Sequence, residues 1–243
     1  MKRDTSIHIG TSGWHYNHWR GPFYPERLPP SKMLAWYSER LDTVELNNTF
    51  YCLPGEKALE EWCESTPKDF CFAVKGSRFI THMKKLKDPE KALERFFGAI
   101  DLLRHKLGPI LFQLPPGWKP DRERFAYFLS SLPRHHRYAF EFRNPEWDTP
   151  PILDLLRRHN VGFCIFHLAG EQSRMEVTAD FAYVRLHGPG GKYQGSYTDA
   201  QLRSWVRRIE NWRRKLKAVY VYFDNDQAAY AAHNALRLKE MVS

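Results

Sequence analysis

The stretch Tyr138-Ala139-Phe140-Glu141-Phe142-Arg143 alternates three aromatic side chains with Ala139, Glu141 and Arg143. Side chains on a strand point to opposite faces with period two. The segment therefore reads as a strand with one oily face and one face that ends in charge. The same phase recurs along the chain. Thr43-Val44-Glu45-Leu46-Asn47 sets Val44 and Leu46 against Glu45 and Asn47. Cys71-Phe72-Ala73-Val74-Lys75 ends in Lys75, and Leu111-Phe112-Gln113 ends in Gln113. Tyr183-Val184-Arg185-Leu186-His187 and Tyr220-Val221-Tyr222-Phe223-Asp224 repeat the pattern. Polar groups offered at the C-terminal ends of several strands are how a barrel enzyme assembles its site.

Working outward, strand-like runs fall at about 7–10, 43–47, 70–75, 109–114, 138–142, 161–166, 181–187 and 218–223, within roughly 2–4 residues. Helical patterns separate most of them. Expected helix starts are Ser31, Pro54-Gly55, Asp88-Pro89, Asp121, Pro150-Pro151, Thr198 and Asp226. The segment 167–180 has no helical pattern. This alternation predicts an α/β chain forming a single (β/α)8 TIM-type barrel, one domain over residues 1–243. An open doubly wound sheet would carry a G-x-G-x-x-G first turn. Gly10-Thr11-Ser12-Gly13 is not one.

The bulk composition fits that size of core. The chain has 243 residues, 42% hydrophobic and 27% charged, and a barrel of this type needs about 250. A net charge of +9 favours anionic partners such as phosphates or nucleic acid. Much of the excess sits in the helix around 203–217, whose Leu202, Trp205, Val206, Ile209, Trp212 and Leu216 form one apolar face. That helix is expected to pack on the barrel and solvate its charges. The four cysteines form no C-x-x-C pair, which fits a reducing, cytoplasmic setting. Met1 to Ser6 carries no apolar leader, and no run approaches the ~20 apolar residues of a membrane span. No membrane partner is expected, and the sequence leaves the oligomeric state open.

With the polar faces inward, Glu45, Glu141 and Asp224 meet Lys75, Arg143 and Arg185. Barrel interiors are ordinarily apolar and buried charge is a poor stabiliser, so a charged upper layer points to a site. Glu45 and Glu141 are the acid/base candidates. Lys75 is a possible nucleophile, and His187 is a second proton-transfer candidate. Arg143 and Arg185 would hold an anion, with Gln113 and Asn47 beside them. The first loop, Thr11 to Tyr24, offers Trp14 and Tyr16 to stack a base or sugar ring. Arg78 belongs to a basic stretch from Lys75 to Lys87 that contains no acid. Gly188 and Gly190, in His187-Gly188-Pro189-Gly190-Gly191-Lys192, suit phosphate binding by backbone N–H groups. There is no H-x-H or H-E-x-x-H, the histidines are scattered, and no metal or cofactor is expected.

Taken together, these segments resemble the YecE-like proteins, a domain-of-unknown-function family (DUF 72). The resemblance rests on Gly10-Thr11-Ser12-Gly13-Trp14-His15-Tyr16 with Trp19-Arg20-Gly21-Pro22-Phe23-Tyr24-Pro25, and on Thr43 to Tyr51. It continues through Phe72-Ala73-Val74-Lys75 with Arg78 and Thr81-His82, and through Leu111-Phe112-Gln113-Leu114-Pro115-Pro116. Glu141-Phe142-Arg143 with Trp147, Tyr183 to Gly188, and Asn225-Asp226 complete it. It covers essentially the whole chain. It implies a TIM-type barrel and adds Asn225 and Asp226 to the binding candidates. It implies no assigned reaction. The family tends to have Asn-Asn-Asp where this chain has Asp224-Asn225-Asp226, so a role needing an amide at 224 does not carry over.

Besides a barrel that serves only as an interaction scaffold, two functions follow from these residues. One is an enzyme, of hydrolase, lyase or isomerase type, acting on a phosphorylated or nucleotide-like molecule at the C-terminal face. The other is a nucleic-acid-binding protein that uses the basic, aromatic rim without chemistry.

Overall fold

The computed structural model describes residues 5–243. Met1 to Asp4, part of the expected domain and of the stretch read as lacking a leader, lie outside the described residues. Eight parallel strands close into a ring. These are β1 (Ser6–Ser12), β2 (Thr43–Leu46), β3 (Cys71–Lys75), β4 (Leu107–Leu114), β5 (Tyr138–Phe142), β6 (Gly162–Leu168), β8 (Phe181–Leu186) and β9 (Ala218–Phe223). Each pairs with its neighbours in chain order. β1 pairs with β9, and β5 with β6, which closes the barrel. Helices α1 (Met33–Ser38), α2 (Glu56–Glu64), α3 (Glu90–Ile100), α4 (Arg122–Ser131) and α5 (Pro150–Arg158) follow the first five strands. α6 (Asp199–Arg213) and α7 (Tyr230–Val242) follow β8 and β9. The expected barrel is the one observed.

No helix follows β6. The chain turns back through Ala169-Gly170 into a two-residue strand, β7 (Glu171–Gln172), antiparallel to β6. Ala169 and Gly170 both have positive φ, 52° and 84°, the pattern of a type I′ hairpin turn. This short hairpin occupies the segment that lacked a helical pattern.

The strand phase puts the oily faces outward against the helices. Val44, Leu46, Phe72, Val74, Phe112, Phe140, Phe142, Val184, Leu186, Val221 and Phe223 belong to that layer. The inward faces form a separate, smaller cluster, with Ala73, Leu111, Ala139, Cys164, Phe181, Tyr183, Tyr220 and Tyr222. The inward residue at the end of each strand lies above this floor. Alternation therefore decides which side chains reach the site.

Two expected caps differ. Asp88 does not cap α3. It adopts φ 41° and its carboxylate lies 3.8 Å from Lys84 Nζ, so Pro89 stands at the cap without a side-chain hydrogen bond. Asp226 does not cap α7, because a 3-10 turn over Gln227–Ala229 intervenes. Asp121 and Thr198 do cap their helices, Thr198 within a reciprocal capping box with Gln201. No helix among the described residues is long and apolar enough to cross a membrane.

Candidate active site at the strand ends

Arg185, 1% exposed, lies at the centre of the upper layer. It extends from β8 across the barrel. Nε and Nη2 donate to Glu45 at 3.1 and 2.7 Å, Nη1 to Glu141 at 2.8 Å and Nη2 to Asp224 at 3.1 Å. The Ser12 hydroxyl and His187 Nε2 lie 3.4 Å from its terminal nitrogens. A guanidinium has five N–H donors in a fixed fork. Here the fork is spent on carboxylates from three other strand ends.

Each carboxylate is tied down a second time. Glu45 accepts from the Ser12 and Tyr183 hydroxyls, both at 2.6 Å. Glu141 accepts from Gln113 Nε2 at 2.8 Å and is ion-paired to Arg143 Nε. Burial alone would raise the Glu141 carboxyl, but Arg185 and then Arg143 hold it well below the ordinary carboxylate range. Glu45 and Glu141, expected to transfer protons, are thus placed beneath Arg185 with their oxygens engaged.

Asp224 and His187 form a second unit. His187 Nδ1 lies 2.9 Å from Asp224 Oδ2. The carboxylate only accepts, so Nδ1 carries the proton, and Nε2 accepts from Arg143 Nη2 at 3.2 Å. Burial, then Arg185, lowers the pKa of His187 against the pull of Asp224, so the ring is neutral near pH 7. Burial also opposes ionisation of Asp224, but Arg185 and the His187 hydrogen bond keep its pKa low.

Lys75 differs from these groups. Its ammonium lies 4.6 Å above the Phe50 ring, and it has no hydrogen bond or ion pair among the described residues. Burial, then Arg185, lowers its pKa, while Glu141, Glu45 and Asp224 partly oppose this. The site therefore combines hydrogen-bonded, structured charges with a cation of weakened basicity that has no protein partner among the described residues.

The remaining expected residues divide. Trp14, Tyr16 and Asn47 line an open cleft of about 900 Å³ that runs from the ends of β1 and β2 to Glu61, Trp62 and Glu64 of α2. Tyr16 borders both regions. Its hydroxyl donates to Ser12 O at 2.6 Å, and burial, followed by Asp224, Asp226 and Glu45, raises its pKa. Asn47 Oδ1 is buried without a hydrogen-bond partner among the described residues. Arg78 is exposed on the rim, 6.0 Å over the Tyr51 ring. Gly188, at φ 115°, sits where a Cβ would meet Gln194 O at 2.3 Å. Its N–H already donates to the Tyr197 hydroxyl. Gly190 lies in the open part of that loop. Asn225 is buried away from the cluster and anchors the loop through Gly195 O and Asn234. The Asp226 carbonyl accepts from Trp19 and His18, and burial, then Asp224, raises its carboxyl pKa.

Three contributors were missing from the sequence reading. Tyr183 shares the inward phase of Arg185 and could have been found two positions before it. Ser12 ends β1 at the same level. Tyr193, whose ring packs edge-on against His187 at 5.4 Å, had no periodic signal because it lies in a loop.

The family model described as protein of unknown function DUF72 matches residues 8–243. The UPF0759 protein YunF of Bacillus subtilis (strain 168) is 28% identical, over 97% of this chain and 94% of YunF. The UPF0759 protein YecE of Escherichia coli (strain K12) is 32% identical over 58% of this chain and 50% of YecE. A solved DUF72 family protein from Thermotoga maritima MSB8 has a TM-score of 0.87 and 31% identity, covering 98% of this chain and 99% of its own. Another from Enterococcus faecalis V583, 19% identical with a TM-score of 0.81 over 97% of this chain and 95% of its own, shares the fold. The chain belongs to the DUF72 family of proteins of unknown function.

Proposed function

We propose that the chain is an enzyme that turns over an anionic small molecule, phosphorylated or nucleotide-like, at the C-terminal face of the barrel. The observation that carries this reading is Lys75. Its half-buried ammonium has no hydrogen bond or ion pair to the protein among the described residues, which leaves it free to meet a ligand anion. Lys75 and Arg143 hold the anion. Lys75, with its lowered pKa, and the His187–Asp224 pair are the proton-transfer groups. Glu45 and Glu141 take an orienting role, fixing Arg185 and Arg143 rather than moving protons.

The cleft supports the same substrate class. Its volume of about 900 Å³ suits a small molecule, and Trp14 and Tyr16 offer aromatic surfaces. Glu61 and Glu64 make the outer wall acidic. The anionic end of a substrate would therefore lie toward Lys75 and Arg143, with its ring in the cleft. Asn47, at the cleft wall, carries an Oδ1 acceptor that no protein group among the described residues engages. The four unpaired thiols agree with a cytoplasmic setting.

The test is to incubate the protein with pooled phosphorylated metabolites and nucleotides and follow their consumption by mass spectrometry. Wild type should deplete a compound that Lys75→Met and His187→Gln leave intact. Depletion that persists in Lys75→Met would refute the assignment.

A second reading has its own observation. Tyr51, 73% exposed, lies near Arg78, and Phe79 and Met83 are exposed beside Lys84 and Lys85. Aromatic and basic groups together suit a single-stranded nucleic acid. Oligonucleotide binding that falls steeply with salt and is lost on changing Lys84, Lys85 and Lys87 to Glu would support it.

A further inference from the structure

We propose that Asp101, His135 and His136 form a transition-metal site of the zinc class on the N-terminal end of the barrel, opposite the charged cluster. Asp101 follows α3 and stands ahead of β4, while the two histidines lie in the connection from α4 to β5. The sequence separates them by 34 and 35 positions, and the fold brings them together.

One ligand atom from each of the three residues lies within 4.8 Å of the other two. One pair already has the spacing of coordination. Two ligands each about 2.0–2.1 Å from a tetrahedral ion lie about 3.3 Å apart. His136 Nε2 and Asp101 Oδ1 are 3.1 Å apart. That nitrogen is buried, yet it makes no properly directed hydrogen bond. A simple Asp–His hydrogen bond would leave it satisfied.

The His136 ring is held in place by packing. His136 lies flat on Phe97, with centroids 5.3 Å apart and planes 6° from parallel. The His135 ring is 3.9 Å from that of His136 and tilted by 50°. Asp101 and His135 are exposed, so an ion has open access and water can fill a fourth position. Two imidazoles and a carboxylate suit zinc, cobalt or nickel rather than magnesium or calcium. A bound ion would clamp the end of α3 to the start of β5.

The experiment uses tag-free protein stripped with a chelator and titrated with zinc by calorimetry and with cobalt by visible absorption. One equivalent should bind, with the cobalt spectrum of a low-coordinate site, and zinc should raise the melting temperature. His135→Ala, an exposed position that should not impair folding, and Asp101→Asn should each weaken zinc binding at least about tenfold. His159→Ala should not change it. Absence of saturable binding would overturn the proposal. So would binding of equal strength in His135→Ala and Asp101→Asn, because the metal would then lie elsewhere.

Discussion

Replacing Arg185 by Met removes the cation that joins four strand ends while keeping much of its apolar length. Glu45 keeps Ser12 and Tyr183, Glu141 keeps Gln113 and Arg143, and Asp224 keeps His187. All three lose their central counter-charge in a region where Glu45 and Glu141 are fully buried. Breaking a buried pair costs about 3–5 kcal/mol, against under about 1 kcal/mol for a surface pair. In a domain of this size each kcal/mol is worth about 2–4 °C, so the melting temperature should fall by about 6–20 °C. The loss should depend on pH. In the wild type the Glu141 pKa is depressed, so its contribution is present above the unfolded value and disappears as pH falls through the folded one. Without Arg185, burial pushes that carboxyl upward, and the penalty shrinks when acid protonates it. Urea unfolding at pH 7 and pH 5 should show the larger loss at pH 7. Adding Glu141→Gln should recover part of it. A loss under about 1 kcal/mol at both pH values would refute a buried, charge-organised upper layer.

Other consequences are separately measurable. His187 is neutral when folded, and its unfolded form takes up a proton below about pH 6.5, so stability should fall as pH drops through that range. His187→Gln should remove that one-proton share from calorimetric stability curves. Thr198→Ala dismantles the α6 capping box and should cost about 1 kcal/mol in urea unfolding. Gly188→Ala forces a Cβ against Gln194 O at positive φ. It should cost about 1–3 kcal/mol or open the 188–195 loop to proteolysis.

The barrel was legible because strand phase is a local property. The alternation at 138–143 puts Glu141 on the face opposite the aromatics without knowledge of its neighbours, and the structure turns that face inward. The state of those charges was not legible. Arg185 and Glu45 are 140 positions apart, and only closure of the ring shows that the guanidinium is buried and bonded to carboxylates from three other strands. Composition therefore made Arg185 an anion holder, while geometry leaves Lys75 and Arg143 with N–H groups to offer. Asp88-Pro89 has the local form of a helix cap, but Asp88 takes a positive φ and its carboxylate faces Lys84 instead of the α3 N–H groups. His135 and His136 looked isolated because their partner, Asp101, lies on another connection. Tyr193 reaches His187 only because the glycine-rich loop folds back over the barrel mouth.

Soaking crystals at neutral pH with a phosphorylated compound depleted in the metabolite screen tests the central claim most directly. The account predicts phosphoryl oxygens within hydrogen-bonding distance of Lys75 Nζ and Arg143, the ring between Trp14 and Tyr16, and an empty site in Lys75→Met crystals. Ligand bound only along the basic rim near Arg78, or bound unchanged in Lys75→Met, would contradict it.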